Sequence, residues 1–235
     1  MAIYLPIDFH NPIIMKQLFT SLLTGLLFCV ISIPSSFANS EEEANDNNEA
    51  NIFELWDILS LNHYISKDAY SRAFEKINGQ APTSTSKLIA IIDFSKPSSK
   101  ERMVLIDLEN QQLIYHNLVS HGKGSGDLEA IKFSNIPNSH QSSLGLYRVG
   151  EHYIGKHGPS RRLDGLERKI NDKARERAIV IHAADYASPA FVEQHGRLGR
   201  SFGCPAVPQE GYQEFIKSLE EGSLLFIYHP SYSKK

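Results

Sequence analysis

The stretch LIAIIDFSKPSSKERMVLIDLENQQLIYHNLV, residues 88–119, contains three short apolar runs separated by polar breaks. The runs Leu88–Phe94, Met103–Leu108 and Gln112–Val119 are rich in Ile, Val and Leu, a composition typical of β-strands. Because only Glu109-Asn110-Gln111 separates the second run from the third, these two runs are predicted to pair as a hairpin. The stretch therefore predicts a β-rich domain that begins near residue 86.

The downstream sequence continues this pattern with three further strands and two helices. The strands are predicted at Leu144–Val149, Ala178–Ala183 and Leu224–Tyr228, and the helices at Pro189–His195 and Pro208–Glu220. Residues 150–178 alternate glycine turns with basic residues, and we interpret them as a surface excursion. We expect residues 86–230 to form a mainly β domain, a β-sandwich or mixed sheet with peripheral helices.

Residues 51–85 are predicted to be a small helical preface to this domain. Ile52–Leu61 and Lys67–Ile77 show the apolar spacing of helices, with Ser66 as an N-cap and Gly79 just past the end of the second helix. Residues 39–50 carry five acidic side chains and no aromatic residue, which is typical of a disordered linker.

The first 38 residues have the pattern of a secretory signal peptide. Lys16 precedes the apolar stretch Leu18–Ile33, and the small residues Ser36 and Ala38 predict cleavage after Ala38. The apolar stretch is shorter than the roughly 20 residues that a membrane-spanning helix needs. We therefore expect export, with Met15 a possible start and no stable membrane insertion after cleavage. An uncleaved N-terminal anchor is the alternative.

Charge and cysteine content narrow the possible functions. The formal net charge of −3 gives no basic surplus, so a nucleic-acid partner is not expected. Cys29 leaves with the signal peptide, and Cys204 is then the one cysteine of the mature chain. A lone thiol in an oxidising compartment is either buried and inert or functional.

The surroundings of Cys204 favour a function. Cys204 lies in Gly199-Arg200-Ser201-Phe202-Gly203-Cys204-Pro205-Ala206, where Gly203 allows close backbone approach and Pro205 stiffens the chain. Such a turn can aim backbone N–H groups at a developing oxyanion. Thiol catalysis also needs a base or cationic partner, and His182 ends an apolar strand upstream. An ordinary strand-end histidine beside an inert cysteine is the alternative.

This arrangement resembles the catalytic domain of the murein L,D-transpeptidases, which have a strand-borne histidine followed about twenty residues later by a Ser/Thr-His-Gly-Cys loop. His182 and Ser201-x-Gly203-Cys204 match that arrangement. The resemblance runs from about Leu88 to Tyr228. Six blocks carry it in order: Ser120–Gly126, Phe133–Asn135, Ser142–Gly145, Tyr153–Gly158, Leu163–Glu167 and Gly199–Val207.

The resemblance implies an exported, periplasmic cysteine L,D-transpeptidase that needs no metal or cofactor. Cys204 would attack a tetrapeptide donor of a peptidoglycan stem and release D-alanine, and the thioester would pass to an amine acceptor or to water. His182 would act as acid and base, with backbone N–H groups at Gly203 and Cys204 holding the oxyanion. The residues implied in substrate binding are Ser201, Arg200, Tyr153, His157 and His121.

Two positions depart from the broader family. Phe202 stands where that family has a second loop histidine, and Pro205-Ala206-Val207 replaces a basic or amide residue after the cysteine. Binding of the substrate carboxylate then falls to other cations, for which the sequence offers Arg161, Arg162, Arg197 and Arg200.

Three other functions are alternatives to this one. A sortase-like enzyme also orders histidine before cysteine, but no Thr-Leu-x-Thr-Cys strand is present. A metal-dependent murein hydrolase would use close histidine pairs, and the closest pair, His152 and His157, has a weak spacing in a loop. A non-catalytic periplasmic peptidoglycan-binding protein with an inert Cys204 remains the alternative outside enzymology.

Overall fold

The computed structural model describes residues 53–79 and 87–234. Its N-terminal part is helical, with α1 at residues 53–58, a 3-10 turn at Leu61–His63 and α2 at Lys67–Asn78. The Ser66 hydroxyl accepts a hydrogen bond from the Ala69 N–H at 3.2 Å, so the predicted N-cap is present. The predicted signal peptide, residues 1–38, and the acidic linker, residues 39–50, lie outside the described residues.

Helix α2 buries its apolar side against the rest of the chain. Ala69, Tyr70 and Ala73 are fully buried and belong to the same hydrophobic core as the strands. Ahead of the helix, the Ser66 N–H donates to the carboxylate of Asp93 at 2.7 Å, which ties the helix start to the end of a strand. The helical preface thus shares its core with the β domain.

Eight strands form one mixed sheet in the part of the chain that the structure describes. They are β1 (Leu88–Asp93), β2 (Met103–Asp107), β3 (Gln112–Asn117), β4 (Gly145–Gly155), β5 (Gly158–Gly165), β6 (Val180–Ala183), β7 (Ala206–Val207) and β8 (Leu224–Tyr228). Their order in the sheet is β3-β2-β1-β8-β4-β5-β6-β7. The pairs β1–β8 and β6–β7 are parallel, and the other neighbours are antiparallel.

The apolar runs of the sequence correspond to the centre of this sheet. Strand β1 is buried from Ile89 to Asp93 because it is paired on both sides and covered on both faces. Its run of consecutive apolar residues, without alternation, is the pattern expected of such a strand. The mainly β fold with peripheral helices and the β2–β3 hairpin are confirmed, with all eight strands in a single sheet.

The interpretation of residues 150–178 as a surface excursion is wrong in its first half. Strand β4 continues to Gly155 and forms a long hairpin with β5, in which Gly155 pairs with Gly158. The outer part of this hairpin is polar and largely exposed, so it shows no alternating apolar pattern. Residues 166–178 then run in turns back to the sheet.

Two short helices flank the last strands. Helix α3 spans Pro189–His195, as predicted, with the Ser188 hydroxyl accepting from the Phe191 N–H. Helix α4 spans Tyr212–Ser218 and starts later than predicted, because Gly211 adopts a left-handed φ of 69° immediately before it. Within residues 53–79 and 87–234, no helix combines the length and the hydropathy needed to cross a membrane.

Candidate active site

Cys204 is presented by a tight loop between α3 and β7. The Ser201 hydroxyl donates to the Cys204 carbonyl at 2.6 Å and accepts from the Gly203 N–H at 3.0 Å. Gly203 has a φ of 126°, and a Cβ atom there would lie 2.9 Å from the Gln141 carbonyl oxygen. Only glycine fits that backbone without strain. Ser201 and Gly203 therefore set the local conformation that carries the thiol.

A second segment supports this loop from behind. The Ser201 N–H donates to the His121 carbonyl at 3.0 Å, and the Lys123 N–H donates to the Ser201 carbonyl at 2.8 Å. The buried Ser142 hydroxyl accepts from the Gly122 N–H at 3.0 Å and donates to the Gly203 carbonyl at 3.1 Å. Two of the sequence blocks, Ser120–Gly126 and Ser142–Gly145, thus contribute residues that brace the cysteine loop.

His182 lies at the end of β6 and is almost fully buried. Its Nδ1 is 2.8 Å from the Ala183 carbonyl oxygen, which can only accept a hydrogen bond. In the neutral ring the proton is therefore on Nδ1, and Nε2 carries a lone pair. Burial lowers the pKa of His182, and the charges of His157 and Lys156 lower it further. At neutral pH His182 is thus an uncharged imidazole able to act as a base.

Strand pairing brings Cys204 near His182. His182 is in register with Ala206 of β7, and the His182 N–H donates to the Pro205 carbonyl. Both side chains line the same cavity. The Cys204 sulfur has its own contacts, with the Val180 N–H at 3.5 Å and the Ala178 carbonyl at 3.9 Å. Among the described residues, the hydrogen bonds of this sulfur do not include one to His182.

The cavity around these two residues has a volume of about 650 Å³. Its wall combines the cysteine loop, the end of β6, the tip of the β4–β5 hairpin and the chain before β6. The lining residues are Tyr153, Gly155, Lys156, His157, Ser160, Arg162, Arg177, Ala178, Val180, His182, Tyr186, Arg200, Ser201, Phe202 and Cys204. This size suits a small molecule or a few residues of a peptide.

The resting thiol of Cys204 is protonated at neutral pH. Burial raises the pKa of Cys204, and the Val180 N–H, Arg177 and Lys156 offset part of that increase. With the pKa of His182 lowered, the structure favours a neutral thiol and a neutral imidazole over a thiolate–imidazolium pair. Proton transfer would then accompany the attack of the thiol.

Four of the five residues implied in substrate binding line the cavity. Tyr153 and His157 lie on the hairpin tip, and Arg200 and Ser201 lie on the cysteine loop. The Arg200 guanidinium is already ion-paired with Asp127. The Ser201 hydroxyl makes two hydrogen bonds within the loop, which is the geometry of a loop-stabilising residue.

His121 is the fifth residue, and the structure does not bring it into the cavity. It is fully buried, and its Nδ1 lies 2.9 Å from the guanidinium of the buried Arg102. Burial, with a contribution from Arg102, lowers the pKa of His121 to about 3. Its position corresponds to packing beneath the cysteine loop, because its backbone carbonyl accepts from Ser201.

The four arginine candidates for carboxylate binding separate into two pairs. Arg162 and Arg200 line the cavity, whereas Arg161 and Arg197 do not. Arg161 is in register with Ile181 of β6, and Arg197 donates to the Leu198 carbonyl at 2.8 Å.

Three residues that line the cavity were missed by the sequence reasoning. Arg177 donates to the carbonyl groups of Ser134 and Gln141 and lowers the pKa of Cys204 by its charge. The charge of Lys156 also lowers the pKa of Cys204, and Tyr186 packs beside Gly199. Lys156 stands directly before His157 in the block Tyr153–Gly158, and this position was the available signal for Lys156. Arg177 and Tyr186 offered none without the fold.

Across the described ranges, no group of three or more His, Cys, Asp or Glu side chains comes close enough to hold a metal ion. Of the pair noted in the sequence, His152 lies on β4 opposite Arg161 of β5, and His157 lies in the connection between β4 and β5.

Comparison with known families identifies the domain. The family model described as the L,D-transpeptidase catalytic domain matches residues 61–228. The match includes α2, the whole sheet and the cysteine loop. No curated protein matches the chain.

Solved structures are similar to part of this chain at low sequence identity. An L,D-transpeptidase from Mycobacterium smegmatis is 11% identical, with a TM-score of 0.39 over 61% of this chain and 59% of that chain. L,D-transpeptidase 3 from Mycobacterium tuberculosis, in complex with a faropenem-derived adduct, is 11% identical, with a TM-score of 0.40 over 61% and 60%. An L,D-transpeptidase from Xylanimonas cellulosilytica is 14% identical, with a TM-score of 0.36 over 68% and 69%. The chain spans about three fifths of the length of the two mycobacterial structures.

Proposed function

The chain belongs to the L,D-transpeptidase catalytic domain family, and from that premise we propose that it is an exported cysteine acyltransferase acting on peptidoglycan stem peptides. The donor is a tetrapeptide stem, cleaved at its diaminopimelate–D-alanine bond. The acceptor is an amine of a second stem, which gives a crosslink, or water, which gives carboxypeptidase action.

The first half-reaction forms a thioester. His182 Nε2 takes the thiol proton of Cys204 while the sulfur attacks the carbonyl carbon of the donor bond. The tetrahedral intermediate collapses with cleavage of the C–N bond, and His182 returns the proton to the leaving amine of D-alanine. Because catalytic hydrogen bonds are often loose without substrate, the missing Cys204–His182 contact is expected to tighten when the donor binds.

The second half-reaction reverses these roles. An acceptor amine or water attacks the thioester carbonyl and gives up a proton to His182 Nε2. The C–S bond then breaks, and the sulfur regains its proton from the imidazole. Each half-reaction therefore leaves His182 neutral, and the complete cycle returns Cys204 from the thioester to the neutral thiol that its raised pKa favours.

The oxyanion is assigned to one backbone donor of the cysteine loop. The Gly203 N–H already donates to the Ser201 hydroxyl, so it is not free for this purpose. The Cys204 N–H is the donor that we propose. Gly203 contributes instead through its φ of 126°, which holds the loop in shape.

The observation that carries this proposal is the shared cavity of a half-buried thiol and an imidazole whose Nε2 has a lone pair. The test is muropeptide analysis after the purified protein is incubated with tetrapeptide-bearing sacculi. We expect crosslinked or shortened stems with release of D-alanine. Unchanged muropeptides, or the same products from Cys204→Ala, would refute the proposal.

Export to the periplasm belongs to the same proposal. It rests on the signal-peptide pattern of residues 1–38 and on the location of the proposed substrate outside the cytoplasm. Mass spectrometry of the mature protein should find Asn39 at or near its N-terminus. An intact protein in the membrane fraction would contradict cleavage.

A further inference from the structure

Among the described residues, four Lys or Arg side chains line the cavity, and three of them are already engaged. The Arg162 Nε lies 3.0 Å from a Glu151 carboxylate oxygen, and Arg200 is ion-paired with Asp127. Each of these guanidinium groups would have to share or leave its carboxylate in order to bind another. Neither is therefore well placed to recognise an anionic ligand.

The third engaged cation, Arg177, holds protein groups instead of a carboxylate. Its guanidinium donates to the Ser134 carbonyl at 2.7 Å, to the Ser143 hydroxyl at 2.9 Å and to the Gln141 carbonyl. These bonds tie down the chain between residues 134 and 143, which packs against the cysteine loop. The role of Arg177 in the cavity is thus structural and electrostatic.

Lys156 differs from these three arginines. Within residues 53–79 and 87–234, its ammonium group takes part in no hydrogen bond, ion pair or ring contact, and the side chain is exposed. It nevertheless lines the cavity beside the reacting groups. Its positive charge reaches them, because it lowers the pKa of both Cys204 and His182.

The backbone holds Lys156 in this position. Lys156 and His157 form the two-residue connection between the paired residues Gly155 and Gly158, and Gly158 has a φ of 76°. A turn of this kind followed by a left-handed glycine is a common hairpin connection. The His157 ring rests on the His182 ring, so the residue next to Lys156 is anchored on the proposed base.

We propose that Lys156 binds a carboxylate of the donor stem peptide next to the scissile amide, an inference that rests on the proposed function. A donor of this class has two such carboxylates. One is the C-terminal carboxylate of the leaving D-alanine, and the other is the side-chain carboxylate of diaminopimelate. A lysine ammonium is a compact, mobile charge that can meet either one. Lys156 is then a specificity-determining residue for donors with that carboxylate.

The test compares three synthetic tetrapeptide donors: the free acid, its C-terminal amide and its diaminopimelate side-chain amide. The wild-type protein should prefer the free acid over one of the amides by about five- to tenfold in kcat/KM, mainly through KM, as expected for a partly exposed charge pair. Lys156→Met should abolish that preference, and Lys156→Arg should retain part of it. The amide that loses activity identifies the carboxylate.

A matched control is Lys217→Met, which removes the same charge from an exposed site on α4 outside the cavity. It should leave the donor preference unchanged. The inference is overturned if Lys156→Met keeps the wild-type preference, or if the wild type does not distinguish the free acid from either amide. Failure of the proposed function is a separate result, seen as no release by the wild type of D-alanine, or of D-alaninamide from the C-terminal amide, from any donor. In that case calorimetric binding of the same donors to Cys204→Ala, with and without Lys156→Met, still decides whether Lys156 recognises a carboxylate.

Discussion

The imidazole rings of His157 and His182 are stacked, with centroids 4.3 Å apart and planes inclined by 20°. His157 lies at the tip of the β4–β5 hairpin, and His182 is the penultimate residue of β6. The stack covers a ring whose Nδ1 is fixed by the Ala183 carbonyl. Together these contacts restrain the orientation of the proposed base. They also explain why the hairpin belongs to the site.

Replacing His157 should change the pH dependence of activity. Burial lowers the pKa of His182 most, and the charges of His157 and Lys156 add to the effect. Because the base must be neutral, activity falls as the pH drops through this pKa. His157→Phe keeps a stacked ring but removes the charge, so the pKa of His182 should rise and the acidic limb of kcat/KM should move to higher pH. His157→Ala should move it further by also admitting water.

The pH–rate profile of D-alanine release measures this shift. His152→Phe is the control, because His152 is exposed on the same hairpin and does not line the cavity. If the acidic limb of both His157 variants coincides with that of the wild type, the stack has no influence on the base.

Substitutions of Cys204 and of His182 should lower turnover to different extents. Cys204→Ala removes the nucleophile and should abolish D-alanine release while leaving the melting temperature near that of the wild type. His182→Ala should lower kcat by about 10²–10⁴-fold, the usual contribution of general acid–base assistance. Release of D-alanine by Cys204→Ala at the wild-type rate would rule out a thioester mechanism.

The rate at which Cys204 is alkylated should depend on pH as expected for a thiol with a raised pKa. Because burial holds the thiol protonated, labelling by iodoacetamide should be slow at neutral pH and should accelerate above the ordinary thiol pKa of 9.0. Arg177→Met removes a nearby charge that lowers this pKa, so the rise in labelling rate should occur at still higher pH. Arg177→Lys, which keeps the charge, is the control. Rapid labelling of the wild type at neutral pH would show that the resting site holds a thiolate.

Much of the fold could be predicted from the sequence because its central strands are continuous apolar runs. Strands β1, β2 and β8 are buried on both faces, so Ile, Val and Leu follow one another without interruption. The outer half of the β4–β5 hairpin could not be found in this way. Its residues from Glu151 to Gly155 are half-buried or exposed, and their sequence pattern is typical of a loop.

The candidate site was predicted in part for a similar reason. Cys204 and Gly203 stand out because a lone cysteine after glycine is a local feature of the sequence. The role of Ser142 depends on a hydrogen bond to Gly203 across 61 positions, and that of Arg177 on bonds to residues 34 to 43 positions earlier. Such contacts are set by the topology of the sheet, so spacing along the chain does not indicate them.

Gly203→Ala should impair both stability and activity. The backbone at Gly203 has a φ of 126°, and the added methyl would meet the Gln141 carbonyl at 2.9 Å and the Arg177 guanidinium at 3.1 Å. We expect a loss of about 1–3 kcal/mol in the free energy of unfolding, together with displacement of Cys204. Urea unfolding and D-alanine release measure the two effects.

Gly196→Ala is the matched control for this strain. Gly196 also has a left-handed φ, of 70°, but a methyl there would meet nothing within 4 Å. Gly196→Ala should lower the free energy of unfolding by about 1 kcal/mol from backbone strain alone and leave turnover intact. Equal effects of the two substitutions would mean that the close packing around Gly203 is unimportant.

His121 should make the protein less stable as the pH falls. Burial, followed by the charge of Arg102, lowers the pKa of this histidine to about 3 in the folded state, from an ordinary value of 6.5. Between these values the unfolded chain binds a proton that the folded chain excludes. The free energy of unfolding therefore decreases with falling pH by up to about 1.4 kcal/mol per pH unit.

His121→Gln keeps an acceptor for Arg102 but cannot titrate, so the stability of this variant should depend less steeply on pH. Urea unfolding at about pH 7.5 and about pH 5 measures the difference, with the exposed His152→Gln as control. If His121→Gln and the wild type lose the same stability over this range, the buried His121 is not the group responsible, because the folded protein would then bind its proton as readily as the unfolded chain does.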